Sequence, residues 1–391
     1  MNGAKGEPTE AGNGWVVIAA YAAVVASTQM LWLTFAPIDT DVARDYGVSQ
    51  ATVGWLANVF PLLYVLLALP AGLALDRWFR GSLNAGAILT AIGGLVRLIA
   101  PTFAAAMVGQ LLVAIAQPLV LNSLTKTATG YLPQRSRPTG IALGSAGQFL
   151  GAILALVMGP LLEHKHSLGP LLPVQAALAV AAATVLALVT RRPPAESGPR
   201  SAIGLDELKA AWSVPMIRTL AQLAFVGIGV FVALSTYLQP ILHHNHISST
   251  SAGVMLAGML IAGTIGCGTL PPIIARKGLE RRYMILVASW VAGCCGVLAI
   301  LHALVVADFI LVAALGLVLL AALPVMLELV ERKMGASGGV ATGILLLAGN
   351  AGGLGVAVVV GLLVHLPPVA FLVLAGVALY GLRPARALNP A

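Results

Sequence analysis

Long runs of apolar residues recur along the whole chain, each ended by a short polar or Gly/Pro cluster. A membrane-spanning helix needs about 20 predominantly apolar residues, and the runs divide into about twelve segments of that length. Their centres fall near Val25, Leu63, Gly93, Ala114, Leu150, Val180, Gly229, Met259, Ala292, Leu317, Val356 and Leu374. The expected fold class is therefore an all-α integral membrane protein with twelve transmembrane helices. The only long polar stretch is Arg191 to Pro215, opened by Pro193, Pro194, Ser197, Gly198 and Pro199. Within it, Ile203 to Trp212 is patterned as a short amphipathic helix on the membrane surface. The expected organisation is a disordered tail over 1–13, a six-helix bundle over 14–190, a linker over 191–215, a second six-helix bundle over 216–384 and a tail over 385–391. The first tail holds Glu7 and Glu10 and lacks the basic, apolar, small-residue order of a signal peptide.

The second half repeats the first. Ala116-Gln117-Pro118-Leu-Val-Leu-Asn122 with Lys126 corresponds to Ala322-Leu323-Pro324-Val-Met-Leu-Glu328 with Arg332. Further on, Thr139-Gly140-Ile141 leads to Ala146-Gly147-Gln148, as Thr342-Gly343-Ile344 leads to Ala348-Gly349-Asn350, at a slightly different offset. The difference implies a loop of unequal length between the two matches. Secondary transporters are commonly built from such duplicated helix bundles, with the substrate held between repeats near the bilayer midplane.

Composition agrees: 59% of residues are hydrophobic and 9% charged, against roughly a quarter charged in a soluble domain. Mean hydropathy is +0.95. The Lys and Arg residues are placed asymmetrically. If the N-terminus is inside, all but Arg44, Arg97 and Lys165 of the 22 fall in cytoplasmic segments, as the positive-inside rule requires. Both termini are then cytoplasmic, and the net charge of +8 follows from topology rather than from a nucleic-acid partner. Cys267, Cys294 and Cys295 lie in apolar runs and read as small packing residues. His243, His244 and His246 form a loop cluster without Cys or acidic co-ligands, so a solvated loop is favoured over a metal site.

Twelve helices in two repeats joined by a basic linker resemble the major facilitator superfamily. Gly72-Leu-Ala-Leu-Asp76-Arg77 is similar to its Gly-x-x-x-Asp-Arg signature, with Trp78-Phe79-Arg80-Gly81 replacing the rest. Trp55 to Asp76 looks like the second helix of the feline leukaemia virus subgroup C receptor family, facilitators associated with choline, ethanolamine and haem. Trp32 stands at that family's first-helix tryptophan, and Gly109-Gln110 with Ala116-Gln117 matches its fourth helix. Leu323-Pro324-Val325 followed by Glu328 is similar to its tenth helix, and Asn350 falls at a glutamine. In the seventh helix Val232 occupies the family's tyrosine position, which is a departure.

Substrate-binding candidates follow from these matches, each beside a plainer reading. Trp32 offers an aromatic face worth about 0.5–2 kcal/mol to a cation, or serves as an interfacial belt residue. Gln110 and Gln117 share one helix face and contact substrate, or only bond a neighbouring helix. Val232, Gln148 and Asn350 complete the set. Gating candidates are Asp76, Arg77, Asn122, Lys126 and Glu328. Asp76 accepts hydrogen bonds from a helix N-terminus, Arg77 pairs with an acid across the two halves, and Glu328 latches to Lys126 or a neighbouring base, or carries a proton. Asp39, Asp41 and Asp45 are expected to be solvated loop acids, and Arg97 to snorkel to the membrane surface. The glycine stripes Gly140, Gly144, Gly147, Gly151 and Gly349, Gly352, Gly353, Gly355 permit close helix packing where the bundles rock. Gly159-Pro160 is a weak match to a proton-antiporter motif.

The sequence thus describes a transporter working by alternating access on a small polar or cationic organic solute, as a monomer in a bacterial inner membrane. No cofactor, metal or nucleic-acid partner is implied; the partners are the solute and the lipid bilayer. A proton-coupled exporter, with Glu328 or Asp39 titrating, and a non-transporting receptor or scaffold are the alternatives. An enzyme is disfavoured because no nucleophile–base pair or metal set lies at one membrane depth.

Overall fold

A computed structural model of the protein describes residues 7–133, 136–162, 169–193, 205–243, 247–300, 305–334 and 338–388. Among the described residues there is no strand. The helices are α1 (Glu7–Trp32), α2 (Asp39–Tyr46), α3 (Gln50–Arg77), α4 (Phe79–Val96), α5 (Phe103–Leu121) and α6 (Leu124–Tyr131). Next come α7 (Arg137–Leu162), α8 (Leu171–Val189), α9 (Leu205–Ser213), α10 (Pro215–His243), α11 (Ser249–Lys277) and α12 (Glu280–Ile300). The chain ends with α13 (Val305–Leu319), α14 (Ala322–Met334), α15 (Gly338–Leu362), α16 (Pro367–Tyr380) and α17 (Leu382–Ala387).

Twelve segments of the described chain are long and apolar enough to cross a membrane. Helix is the expected outcome, since backbone N–H and C=O groups have no water to bond in lipid and must pair within the segment. Two ends differ from expectation. α1 already begins at Glu7, inside the stretch expected to be disordered, and α17 continues to Ala387 with Pro384 and Ala385 buried. The amphipathic segment of the linker is α9, with Ala211 buried and Trp212 exposed.

The repeat is visible in two broken helices. Pro118 lies inside α5, which ends at Leu121; Asn122 and Ser123 form a turn before α6. In the second repeat α13 ends at Leu319, and α14 opens at Ala322. Pro324 then falls in the first turn of α14, where a missing N–H removes no hydrogen bond. Both interruptions mark the aligned proline segments.

The chain divides into two compact units. The first holds Met1–Trp32, Leu66–Ala155 and Leu162–Ala202; the second holds Leu33–Val65, Leu156–Leu161 and Ile203–Ala391. In the first, α1 packs on α5 and α8, and α4 on α5 and α8. A side chain on Gly147 or Gly151 of α7 would collide with the α1 backbone at Ala22 or Ala26, so this stripe serves helix packing within the unit. In the second unit α10 packs on α15, α11 on α13, and α12 on α16. There a side chain on Gly352 would strike the α10 backbone at Phe225. The same helix pairing therefore occurs in both repeats.

Candidate functional site

In the first unit the polar residues of α5 lie on a buried face. Gln110 is fully buried and Gln117 is 4% exposed. The Gln110 Nε2 amide donates to the backbone oxygen of Trp32 at 3.5 Å, across to the last residue of α1. Gln110 Oε1 is buried without a hydrogen-bond partner. Trp32 itself is partly exposed, as is Gln148 on α7. Trp32 and Gln110 are thus brought together through the main chain. A buried amide oxygen without a donor costs roughly 1–3 kcal/mol unless something supplies one, which makes this face suited to a hydrogen-bond donor such as an ammonium or hydroxyl group.

Arg97, placed by sequence at the membrane surface, is instead 2% exposed. Its aliphatic stem packs where a side chain on Gly109 would stand. The glycine of the Gly109-Gln110 pair therefore makes room for an arginine; a charge this deep in helical packing is seldom retained without partners.

The ends of the helices rich in Lys and Arg carry two ion pairs. In the first unit Lys126 Nζ donates to Asp76 Oδ1, joining α6 to the end of α3. In the second, Arg332 Nη2 donates to Glu280 Oε1, joining α14 to the start of α12. Lys126 and Arg332 are the residues aligned by the repeat, but their acids stand on different elements, the end of α3 and the start of α12. Asp76 and Lys126 are 15% and 18% exposed, whereas the Glu280 side chain is 2% exposed. Asn122 Nδ2 donates to the Ala68 oxygen of α3 at 3.2 Å. Arg80, in the first turn of α4, caps α8 by donating to the oxygens of Thr190 (2.8 Å) and Arg191 (2.7 Å).

Asp76, Lys126 and Arg77 each have a contact within their own unit. Lys126 pairs with Asp76, since α6 lies beside the end of α3; Glu328 is half-buried on α14. Arg77 is exposed and stacks over the Trp78 ring at 4.8 Å, a cation–π contact with its chain neighbour. Asn350 donates to the Leu346 oxygen of its own helix at 2.9 Å. Val232 is 2% exposed and packs beside Gly353, so the position holds a packing residue.

The opposite ends of α3 and α10 carry a polar cluster that the sequence did not single out, all of it in the second unit. Asn58 Nδ2 donates to the Tyr237 hydroxyl at 2.8 Å, and both residues are 1% exposed. A side chain on Gly54 or Gly361 would collide with that hydroxyl. The Thr40 N–H donates to Gln239 Oε1 at 3.3 Å, while Gln50 Nε2 and Gln239 Nε2 each donate to the Thr40 hydroxyl at 3.1 Å. The short helix α2 that carries Thr40 ends on Gly47 at φ 65°, a left-handed cap suited to glycine. Asp39, its first residue, is 1% exposed, which overturns its reading as a solvated acid. Asp41 keeps that surface character, paired with Arg44 at 2.7 Å.

Among the described residues no group of three or more His, Cys, Asp or Glu is placed to hold a metal ion. His244 and His246 lie outside them. Cys294 and Cys295 are buried free thiols, and Cys267 is partly buried.

Twelve spans, two duplicated helix sets and broken helices at the aligned prolines define a transporter of the major facilitator kind. The chain matches the Major Facilitator Superfamily over residues 17–357 and belongs to that family. It is 31% identical over 281 residues to solute carrier family 49 member A3 of Danio rerio, covering 67% of this chain and 59% of that protein. To the human choline/ethanolamine transporter FLVCR2 it is 24% identical over 277 residues, covering 64% of this chain and 52% of that one. The chain thus spans between half and three fifths of the length of these relatives. The nucleoside transporter NupG shares the fold with a TM-score of 0.72 at 16% identity, covering 95% of this chain and 98% of that one. So does a bacterial homolog of the human lysosomal transporter Spinster, with a TM-score of 0.69 at 18% identity, covering 98% and 97%.

Proposed function

We propose that this transporter moves a small organic cation, of the amine or quaternary ammonium kind, by alternating access. The observation that carries the reading is the buried amide face of α5, where Gln110, with an unpartnered oxygen, reaches the end of α1 at Trp32. An amide acceptor on the same face as the end of the helix that carries Trp32 suits a ligand with a positive head and a hydroxyl or amine donor. Two relatives of this chain carry choline/ethanolamine in their names, in human and rat, which supports the same class. With the basic ends facing the cytoplasm, the pairs Asp76–Lys126 and Glu280–Arg332 brace the inner ends of the helices. The Asn58–Tyr237 and Thr40–Gln239 contacts then close the outer end.

A thermal-shift screen of purified protein against choline, ethanolamine, amino acids, carboxylates and porphyrins tests the substrate class. A bound ligand at about 100 times its Kd stabilises by about 2.7 kcal/mol. Stabilisation by choline or ethanolamine that Gln117→Ala and Trp32→Ala remove is the expected result. Stabilisation by an anion or porphyrin alone, indifferent to both substitutions, rejects the reading.

A further inference from the structure

Asp39 is the anomaly of the outer end. It is 1% exposed, and neither carboxylate oxygen accepts a hydrogen bond. It is the first residue of α2, after Ile38 at the N-cap, and no backbone N–H of the helix start donates to it. Leu33, Phe35, Ala36, Pro37, Ile38 and Val42 around it in the chain are all buried, so this turn is sealed from water. The nearby amides are directed elsewhere: Gln50 and Gln239 both donate to the Thr40 hydroxyl, and Asn58 donates to Tyr237.

Among the described residues, the charged and titratable groups on the surrounding elements supply no neutralising partner. On α2 itself, Arg44 bonds Asp41 at 2.7 Å and lies 3.9 Å from Asp45 at the surface. The elements packed on this turn are α10 and α11, with Gln50 of α3 bonded to Thr40 and Gly159 of α7 close to Pro37. The first titratable side chain along α3 is Tyr64, and the only charged residue of α7 is Arg137 at its far end. On α10, the Tyr237 hydroxyl accepts from Asn58, and His243 is exposed at the helix end. On α11 the first titratable group is Cys267, well along the helix, followed by Arg276 and Lys277 at its other end.

A carboxylate sealed from water with neither a donor nor an opposite charge carries a penalty of several kcal/mol, and such a group takes up a proton instead. We propose that Asp39 is a proton site of the transport cycle: it must be protonated for the 33–42 turn to dock on α10 and α11, and it loses that proton when the turn undocks. The step is an acid–base one. An O–H bond forms on Asp39 with a proton from water before docking, and the same bond breaks, returning the proton to water, once the carboxyl is hydrated again. The acid that couples transport to pH is then Asp39, at the outer end. The proposal rests on the alternating-access reading but not on any particular substrate.

Spin labels on Asp45→Cys of α2 and His243→Cys of α10 report docking directly as a distance distribution, without ligand, after the three native cysteines are replaced by serine. One linked proton changes the ratio of undocked to docked populations by up to about tenfold per pH unit. The docked, short-distance population should fall along that slope as pH rises and should stay docked at every pH with Asp39→Asn added. Infrared spectra of the otherwise native protein with isotopically labelled aspartate give a second reading that needs no Asp39 variant to fold: a labelled carboxylic-acid C=O band that disappears in step with undocking. A docked population indifferent to pH, a pH dependence that survives Asp39→Asn, or docking driven by sodium instead of protons would each overturn the assignment. Failure of choline to bind would leave these spectra unchanged, so the proposal and the substrate reading fail separately.

Discussion

The Asn58 side-chain amide donates a 2.8 Å hydrogen bond to the Tyr237 hydroxyl, linking α3 of the first repeat to α10 of the second within one compact unit. Both residues are buried, and Gly54 and Gly361 leave the space in which the hydroxyl lies. A polar bond sealed in this way contributes little net stability when formed, but is costly to half-break. That asymmetry suits a contact that must be made and unmade as a whole.

Tyr237→Phe leaves the Asn58 amide buried without an acceptor, which should cost about 1–3 kcal/mol. Pairing it with Asn58→Leu removes both polar groups and should cost less than the two single losses added together. Thermal unfolding of the two singles and the double closes this cycle. Strict additivity would mean that the two groups do not act as a pair.

Arg332→Ala strands the Glu280 carboxylate, whose side chain is 2% exposed. Losing one partner of a buried ion pair costs about 3–5 kcal/mol; since the Arg332 side chain is 42% exposed, solvent screening should hold the loss to roughly half of that. Adding Glu280→Gln to Arg332→Ala should recover part of the stability by removing the stranded charge. Denaturation midpoints of the variants decide, and no recovery would place the cost in lost packing instead.

Gly151 and Gly72 should behave oppositely. A methyl group on Gly151 meets the Ala26 main-chain oxygen of α1, whereas one on Gly72 has nothing within 4 Å. Gly151→Ala is expected to destabilise by about 1–3 kcal/mol through overpacking, while Gly72→Ala should leave the melting temperature unchanged. Equal effects would argue against tight α1–α7 packing.

The helices were legible because an apolar run of spanning length has few other outcomes in lipid, and the repeat marked where two of them break. The duplicated bases Lys126 and Arg332 and the acid Asp76 were also visible, but Glu280 and both pairings were not. Asp76 and Glu280 sit at a helix end and a helix start, so no single spacing connects them to their partners. Asp39 and Arg97 were misread for a related reason. Each stands at the edge of an apolar run, where sequence implies water, and its burial is decided by another helix: α10, far along the chain, for Asp39, and the close approach at Gly109 on the next helix for Arg97. Asn58, Tyr237 and Gln239 lay within apolar runs as isolated polar residues. Their partners are more than a hundred positions away, beyond the reach of any local pattern.

Trp32→Ala should weaken binding of a quaternary amine by about thirtyfold, the equivalent of a desolvated cation–π contact of about 2 kcal/mol. Isothermal titration with choline reads this, and an equal affinity in both proteins would remove Trp32 from the site.

The central claim, transport of a small organic cation, is tested most directly by uptake of radiolabelled choline and ethanolamine into proteoliposomes holding the purified protein under a negative-inside potential. The account predicts saturable uptake that rises with the potential, is competed by other small amines but not by carboxylates, and is lost with Gln117→Ala at unchanged protein stability. Uptake no greater than in empty liposomes for both amines, from protein that transports an anionic or neutral solute undisturbed by Gln117→Ala, would contradict it.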